Sequence, residues 1–202
     1  MKITSIKQQV KRKDRYAVHV DGKYSFSLGE LELINSGLRL GQELNKTELE
    51  ELEDKAKLDK AYDRALGLVA IRQRSKWEIT DYLKRKKYEQ EEIENILNKL
   101  SRAGYVDDLA FATAWVNNRR LLKPISKRKL IQELRQKRVS SEIINQVLAA
   151  DETIEAEVLH ELVVKKRQQT KYKDDLKLMQ YLSRQGYNYG DIKEAMQVES
   201  ED

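Results

Sequence analysis

Cysteine is absent from this 202-residue chain, which excludes disulfides, thiolate metal sites and cysteine nucleophiles. Histidine occurs only as His19 and His160, in different regions, so neither a histidine acid–base pair nor a histidine-rich metal site is expected. No GxxxxGK[ST] loop and no GxGxxG after a strand is present, so no nucleotide cradle is visible. The adjacent carboxylates Asp107 and Asp108 read as a helix amino-terminal cap rather than a metal site. No apolar run approaches the ~20 residues needed to span a bilayer, and no apolar signal-peptide core follows Met1. The expectation is a cytoplasmic, monomeric non-enzyme with no cofactor, no metal, no membrane partner and no small-molecule substrate. With one proline and eight glycines, helices should be rarely interrupted.

What is present is a repeat. SKWEITDYLKRKKYEQEEIENIL from Ser75, SKRKLIQELRQKRVSSEIINQVL from Ser126 and KDDLKLMQYLSRQGYNYGDIKEAM from Lys173 align without a gap. Leu83, Leu134 and Leu182 coincide, followed by Tyr88, Val139 and Tyr187, then Ile93, Ile144 and Ile192. A period near 50 residues implies tandem helical units, each burying an apolar face partly on its neighbours. The fold class is therefore mainly α: three-helix, helix-turn-helix-like repeats in an elongated curved array, preceded by a small antiparallel β region. The expected divisions are 1–59, 60–106, 107–150 and 151–202.

The first division alternates as strands do: Ile3 and Ile6, then Tyr16, Val18 and Val20, then Tyr24, Phe26 and Leu28. Asp21–Gly22 between the last two runs is a hairpin signal. A short helix over Gly29–Asn35, a turn through Gly37 and Gly41, and a helix starting at Asn45 or Thr47 and running past Leu58 should follow. In the first repeat Leu66, Val69 and Ala70 mark the first helix. Ser75 and Glu78 form a capping box for the second, and Gly104 is a left-handed stop for the third. Asp107–Asp108 cap the next helix, which carries Leu109, Phe111, Ala112, Trp115 and Val116. Pro124 before Ser126 separates two helices. In the third repeat Ile154, Val158, Leu162 and Val163, then Leu176, Leu178, Met179 and Leu182, should line apolar faces. Tyr82, Tyr88, Tyr105, Tyr181 and Tyr187 should pack there or at turns, whereas Trp77 lies at the stripe's edge and is a candidate for exposed contact. The tail Glu199–Asp202 should be disordered.

Charge is unevenly spread. Residues 1–60, 61–106, 107–150 and 151–202 carry formal net charges of +1, +3, +5 and −4. Positive charge concentrated in the first two repeats favours polyanions, above all nucleic acid. Lys84–Lys87 and Lys127–Lys129 recur at equivalent positions, a pattern that suits a basic stripe along a phosphate backbone.

Three segments carry a family resemblance. IRQRSKWEITDYL (71–83), GYVDDLAFA (104–112) with Trp115 and Arg119, and KPISKRKLIQELRQKRV (123–139) resemble, in order, segments of the RecX regulatory proteins. The likeness covers roughly residues 60–195. It implies a RecA partner: RecX proteins lie along the groove of the RecA filament on single-stranded DNA, and most inhibit ATP hydrolysis and strand exchange. Single-stranded DNA, with weaker affinity for duplex, is the implied nucleic acid. On that basis the contact residues are expected to be Arg72, Arg74, Lys76, Trp77, Lys84, Arg85, Arg119, Arg120, Lys127, Arg128 and Arg135. Two other readings fit the residues: a free-standing helix-turn-helix DNA-binding protein and a helical protein-interaction scaffold. The chain departs from the family pattern at Lys87 and Arg138, where glycine is usual; Gly186 keeps it. A left-handed turn at Lys or Arg costs roughly 1 kcal/mol, so those two turns are expected to differ in detail.

Overall fold

A computed structural model describes residues 1–198; the expectation for Glu199–Asp202 lies outside the described residues. Three strands, β1 (Ile3–Gln8), β2 (Arg15–Val20) and β3 (Lys23–Gly29), form an antiparallel sheet in sequence order. Asp21 and Gly22 both take positive φ, 48° and 77°, the backbone twist that a tight hairpin needs. Ile3, Val18, Phe26 and Leu28 bury the inner face with Leu44 and Ala56. Helix α1 (Glu30–Ser36) follows and stops at left-handed Gly37.

Helix α2 (Lys46–Ile71) starts at Asn45, whose side chain accepts from the Glu48 N–H while Glu48 reaches back to the Asn45 N–H. The two helices expected around Leu58 and Leu66 are this one helix. No glycine or proline stands between Asn45 and Gly67, so nothing breaks the chain at residue 60. Its Asp59 and Asp63, one turn apart, meet Arg15, which is only 2% exposed. The guanidinium also donates to the Ser27 carbonyl at 2.7 Å, and Asp59 accepts from the Gly29 N–H at 2.8 Å. This buried ion cluster fastens the sheet to α2.

Helices α3 (Lys76–Arg85) and α4 (Gln90–Arg102) complete a trio with the second half of α2. Helices α5 (Asp108–Leu122), α6 (Lys127–Gln136) and α7 (Ser141–Ala149) make the next. Helix α8 (Glu155–Arg167), a 3-10 turn at Thr170–Tyr172, α9 (Asp175–Arg184) and α10 (Tyr189–Val198) make the last. The aligned positions fill equivalent places: Leu83, Leu134 and Leu182 are fully buried, and Ile93, Ile144 and Ile192 nearly so. The chain clusters into two units, residues 1–73 with 79–106, and residues 74–78 with 107 onward. The first turn of α3 therefore counts with the second unit. Three apolar assignments need correction. Ile154 and Leu176 are 57% and 70% exposed, because they fall at or beside helix starts rather than on the buried stripe. Tyr105 follows the Gly104 stop and is 53% exposed.

The turns at Lys87 and Arg138 do not depart from the glycine pattern. Lys87, Arg138 and Gly186 all have positive φ (63°, 56°, 94°). In each, the next N–H returns to the aligned leucine carbonyl: Tyr88 to Leu83, Val139 to Leu134, Tyr187 to Leu182. That bond, and burial of the residue supplying it, outweigh the left-handed strain. Gly186 has a further reason to be glycine: a Cβ there would lie 2.3 Å from Ser126 Oγ and 2.8 Å from Lys129 Cβ.

Candidate nucleic-acid interface

Two buried serines set the frame of the second unit. Ser75 Oγ accepts from the Glu78 N–H at 3.2 Å and donates to the Lys137 carbonyl at 3.0 Å. Glu78 accepts in return from the Ser75 N–H and pairs with Lys137 Nζ at 2.7 Å. The Lys76 N–H donates to Asp108 Oδ1 at 2.8 Å. Ser126 repeats the pattern: its Oγ accepts from the Lys129 N–H, its N–H donates to the Gln185 carbonyl, and the Lys127 N–H donates to Glu155 Oε1 at 2.9 Å. In both cases the carboxylate opening a later helix seals orphan N–H groups at the start of an earlier one, as the helix dipole favours. Burial pushes the Asp108 carboxyl above the ordinary range, against the pull of the Lys76 N–H. The capping box at Ser75–Glu78, the Asp107 cap on Leu109 and Ala110, left-handed Gly104 and buried Phe111 are where the sequence places them; Asp108 is a cap for α3 rather than α5.

Beside this frame lies a concavity of about 1010 Å³ lined by Trp77, Lys127, Arg128, Ile131, Gln132, Arg135, Gln136 and Arg138. Arg128, Ile131, Gln132 and Arg135 follow i, i+3, i+4, i+7 spacing and so share one face of α6. The lining holds four cations and no carboxylate, and none of the four has an ion-pair partner among the described residues. The start of α6 is electrostatically unusual. Among the described α-helices it alone has no acidic residue in its first turn; Lys127, Arg128 and Lys129 stand there instead. Each cation at that position opposes the helix dipole by roughly 0.3–1 kcal/mol. The Glu155 carboxylate at the Lys127 N–H offsets part of that cost.

Two expected contact residues turn inward. Arg120 donates to Asp151 Oδ2 at 2.7 Å and to the Ile125 carbonyl at 2.8 Å, with both partners of the ion pair about 90% buried. Burial works against the Asp151 charge, yet hydrogen bonds from Thr153 and Arg120 hold its carboxyl below the ordinary range. Arg119 Nε and Trp115 Nε1 both donate to Glu133 Oε2, at 2.7 and 2.8 Å, and the Arg119 guanidinium lies 4.8 Å from the Trp115 ring centre. These two arginines brace α5 against its neighbours. The sequence puts both on one helix without revealing the acids that face them across the fold.

The remaining expected contacts are dispersed. Lys84 and Arg85 are exposed on the last turn of α3 in the first unit, Arg85 paired with Asp81 at 2.9 Å. Arg72 follows α2 and donates to the Gln73 carbonyl. Arg74 keeps a shielded Nε with no hydrogen-bond partner, and Lys76 is exposed. Arg138, noted in the sequence as a departure from the glycine pattern, joins the concavity, as do Gln132 and Gln136, which were not singled out; the i, i+4 spacing of Arg128, Gln132 and Gln136 was the available signal. A basic concavity of the first unit, with Lys57, Lys60, Arg64 and Lys86, is weaker as an anion site because Glu53 also lines it and Glu92 neutralises Lys57 at 2.7 Å. In the third repeat a cavity of about 620 Å³ has the opposite sign, with Glu155, Glu157, Glu161, Asp191 and Glu194 around Ala156, Leu159 and Ala195.

Comparison with known proteins gives three family-model matches: the RecX N-terminal domain over residues 1–45, the first RecX three-helix domain over 61–100 and the second over 107–148. Regulatory protein RecX of Bacillus licheniformis is 32% identical over 200 residues, covering 96% of this chain and 76% of the relative. The chain belongs to the RecX family. RecX of Bacillus subtilis (strain 168) is 30% identical over 98% of this chain and 78% of its own. RecX of Listeria monocytogenes serotype 4a is 37% identical over 148 residues, and the match spans 55% of that relative's length. A crystal structure of regulatory protein RecX superposes with a TM-score of 0.70 at 30% identity, covering 96% of this chain and 98% of that one. RecX from Lactobacillus salivarius shares the fold, with a TM-score of 0.57 at 21% identity over 69% of this chain and 94% of that one. The tandem three-helix organisation is thus a RecX property, and among the described residues no helix is long and apolar enough to cross a membrane.

Proposed function

We propose that this RecX-family chain binds the RecA filament on single-stranded DNA and restrains its ATP turnover and strand exchange. One observation carries the reading: Lys127, Arg128, Arg135 and Arg138 converge with Trp77 in a concavity that contains no carboxylate. Four uncompensated cations attract a phosphate backbone and release its counterions on binding. Membership of a family of regulatory proteins supports a protein target alongside the DNA. The contact set proposed is therefore Trp77, Lys127, Arg128, Arg135 and Arg138, with Arg119 and Arg120 supporting the frame. A filament offers the same DNA and protein surfaces at every protomer, so modest individual contacts add through effective concentration. The test is titration of the full chain into RecA on single-stranded DNA while ATP hydrolysis is followed. Hydrolysis should fall as the protein saturates the filament; an unchanged rate at saturation overturns the proposal.

A further inference from the structure

We infer that Trp77 is a stacking platform for an unpaired nucleobase, so that the basic concavity takes up a single strand of nucleic acid directly and discriminates against duplex. The inference rests on the reading of that concavity as a DNA contact and extends it to the class of strand and the residue that selects it.

The two tryptophans of the chain have opposite environments. Trp115 is fully employed: its indole N–H binds Glu133, and Arg119 and Lys137 lie 4.8 and 5.3 Å from its ring centre. Trp77 is 38% exposed and has no aromatic or cation–π partner among the described residues. Yet its backbone is held firmly. The residue before it donates its N–H to Asp108, the residue before that donates its hydroxyl to the Lys137 carbonyl, and the residue after it pairs with Lys137. A large ring on an anchored turn, more than a third exposed and lining the concavity, loses little freedom when something flat is laid on it.

The neighbours define what that flat group is. Lys127, Arg128, Arg135 and Arg138 supply positive charge for phosphates, and the amides of Gln132 and Gln136 can each donate and accept. A phosphodiester attached to an aromatic heterocycle satisfies both requirements. Duplex satisfies only the first, since its base faces are already stacked. Every base has a π-face, so the site tolerates sequence and selects strandedness.

The experiment uses the full chain without RecA and follows intrinsic tryptophan emission together with binding to labelled oligonucleotides. An oligothymidine strand should quench the emission, and a strand with the same phosphates but abasic sugars should bind more weakly without quenching. Trp77→Phe should abolish the quench while leaving Trp115 emission intact. Trp77→Ala should weaken oligothymidine binding roughly tenfold and leave duplex binding unchanged, and Trp77→Tyr should restore most of the loss. Equal quenching by the abasic strand, which needs only the unaltered protein, overturns the inference. So does unchanged affinity in a folded Trp77→Ala protein. If Lys127→Glu/Arg128→Glu then still abolishes binding, the reading of the concavity survives that failure. If no strand binds and those charge reversals change nothing, both fall together.

Discussion

The second and third repeats have the same three-helix frame and opposite electrostatics. At the start of α6 stand Lys127 and Arg128; at the equivalent start of α9 stand Asp175 and Leu176. Helix α9 follows the dipole rule: Asp174 caps the Lys177 N–H and Asp175 pairs with Arg167. Helix α6 has cations in its own first turn, takes its carboxylate from Glu155 of α8 and faces an all-cationic concavity, whereas the cavity of the third repeat is ringed by five carboxylates. The lesson is that the frame depends on buried positions the two repeats share, such as Leu134 and Leu182. Surface charge is then free to take either sign.

The largest expected effect tests that sign directly. Reversing Lys127, Arg128 and Arg135 to Glu should reduce affinity for single-stranded DNA more than a hundredfold at low salt. It should also flatten the salt dependence by about two log units per log unit of salt. Reversing Glu157, Glu161 and Glu194 to Lys should change affinity by less than about twofold. Fluorescence anisotropy over a salt series measures both, and equal losses in the two triple variants would abolish the contrast drawn between the repeats.

Next in size is the separation of bracing cations from contacting ones. Arg120→Ala leaves the Asp151 carboxylate buried without its partner, and urea denaturation should show a loss of about 3 kcal/mol. Because the folded Asp151 carboxyl sits below the ordinary range, its contribution is present above the unfolded value near pH 4 and fades as pH falls through the folded value. The variant should lose that part of the acid dependence. An unaltered denaturation midpoint in Arg120→Ala would return this arginine to the contact surface.

The smallest effects concern the equivalent turns. Gly186→Ala places a Cβ against Ser126 and Lys129 and should cost about 2 kcal/mol. Arg138→Gly relieves left-handed strain but adds unfolded-state freedom, and should change stability by about 0.5 kcal/mol or less. Thermal melts compare the two; similar losses would mean that the packing against Ser126 is not what separates these turns.

Much of the fold was legible because its signals are local. The Asp21–Gly22 hairpin, the Ser75–Glu78 box, the Gly104 stop and the aligned leucines depend on residues within a few positions of one another, and each has one physical reading. The site was legible in part. Trp77, Lys127, Arg128 and Arg135 come together, and α6 spacing already puts the last two on one face. The pairing of Arg119 with Glu133 and of Arg120 with Asp151 was not legible, because a charged residue on a helix looks the same in sequence whether it faces solvent or an acid more than ten residues away. Arg15 was missed for the same reason: Asp59 and Asp63 lie over forty residues on.

What the amino-acid order determined by itself is the set of helices and strands, their caps and the threefold repeat, since these follow from backbone hydrogen bonding and apolar periodicity over short spans. Tertiary structure alone decided which cations are consumed by buried carboxylates and which remain available. That choice depends on distances between groups far apart in the chain, and a charge is neutralised only by a partner that folding brings within a few ångströms.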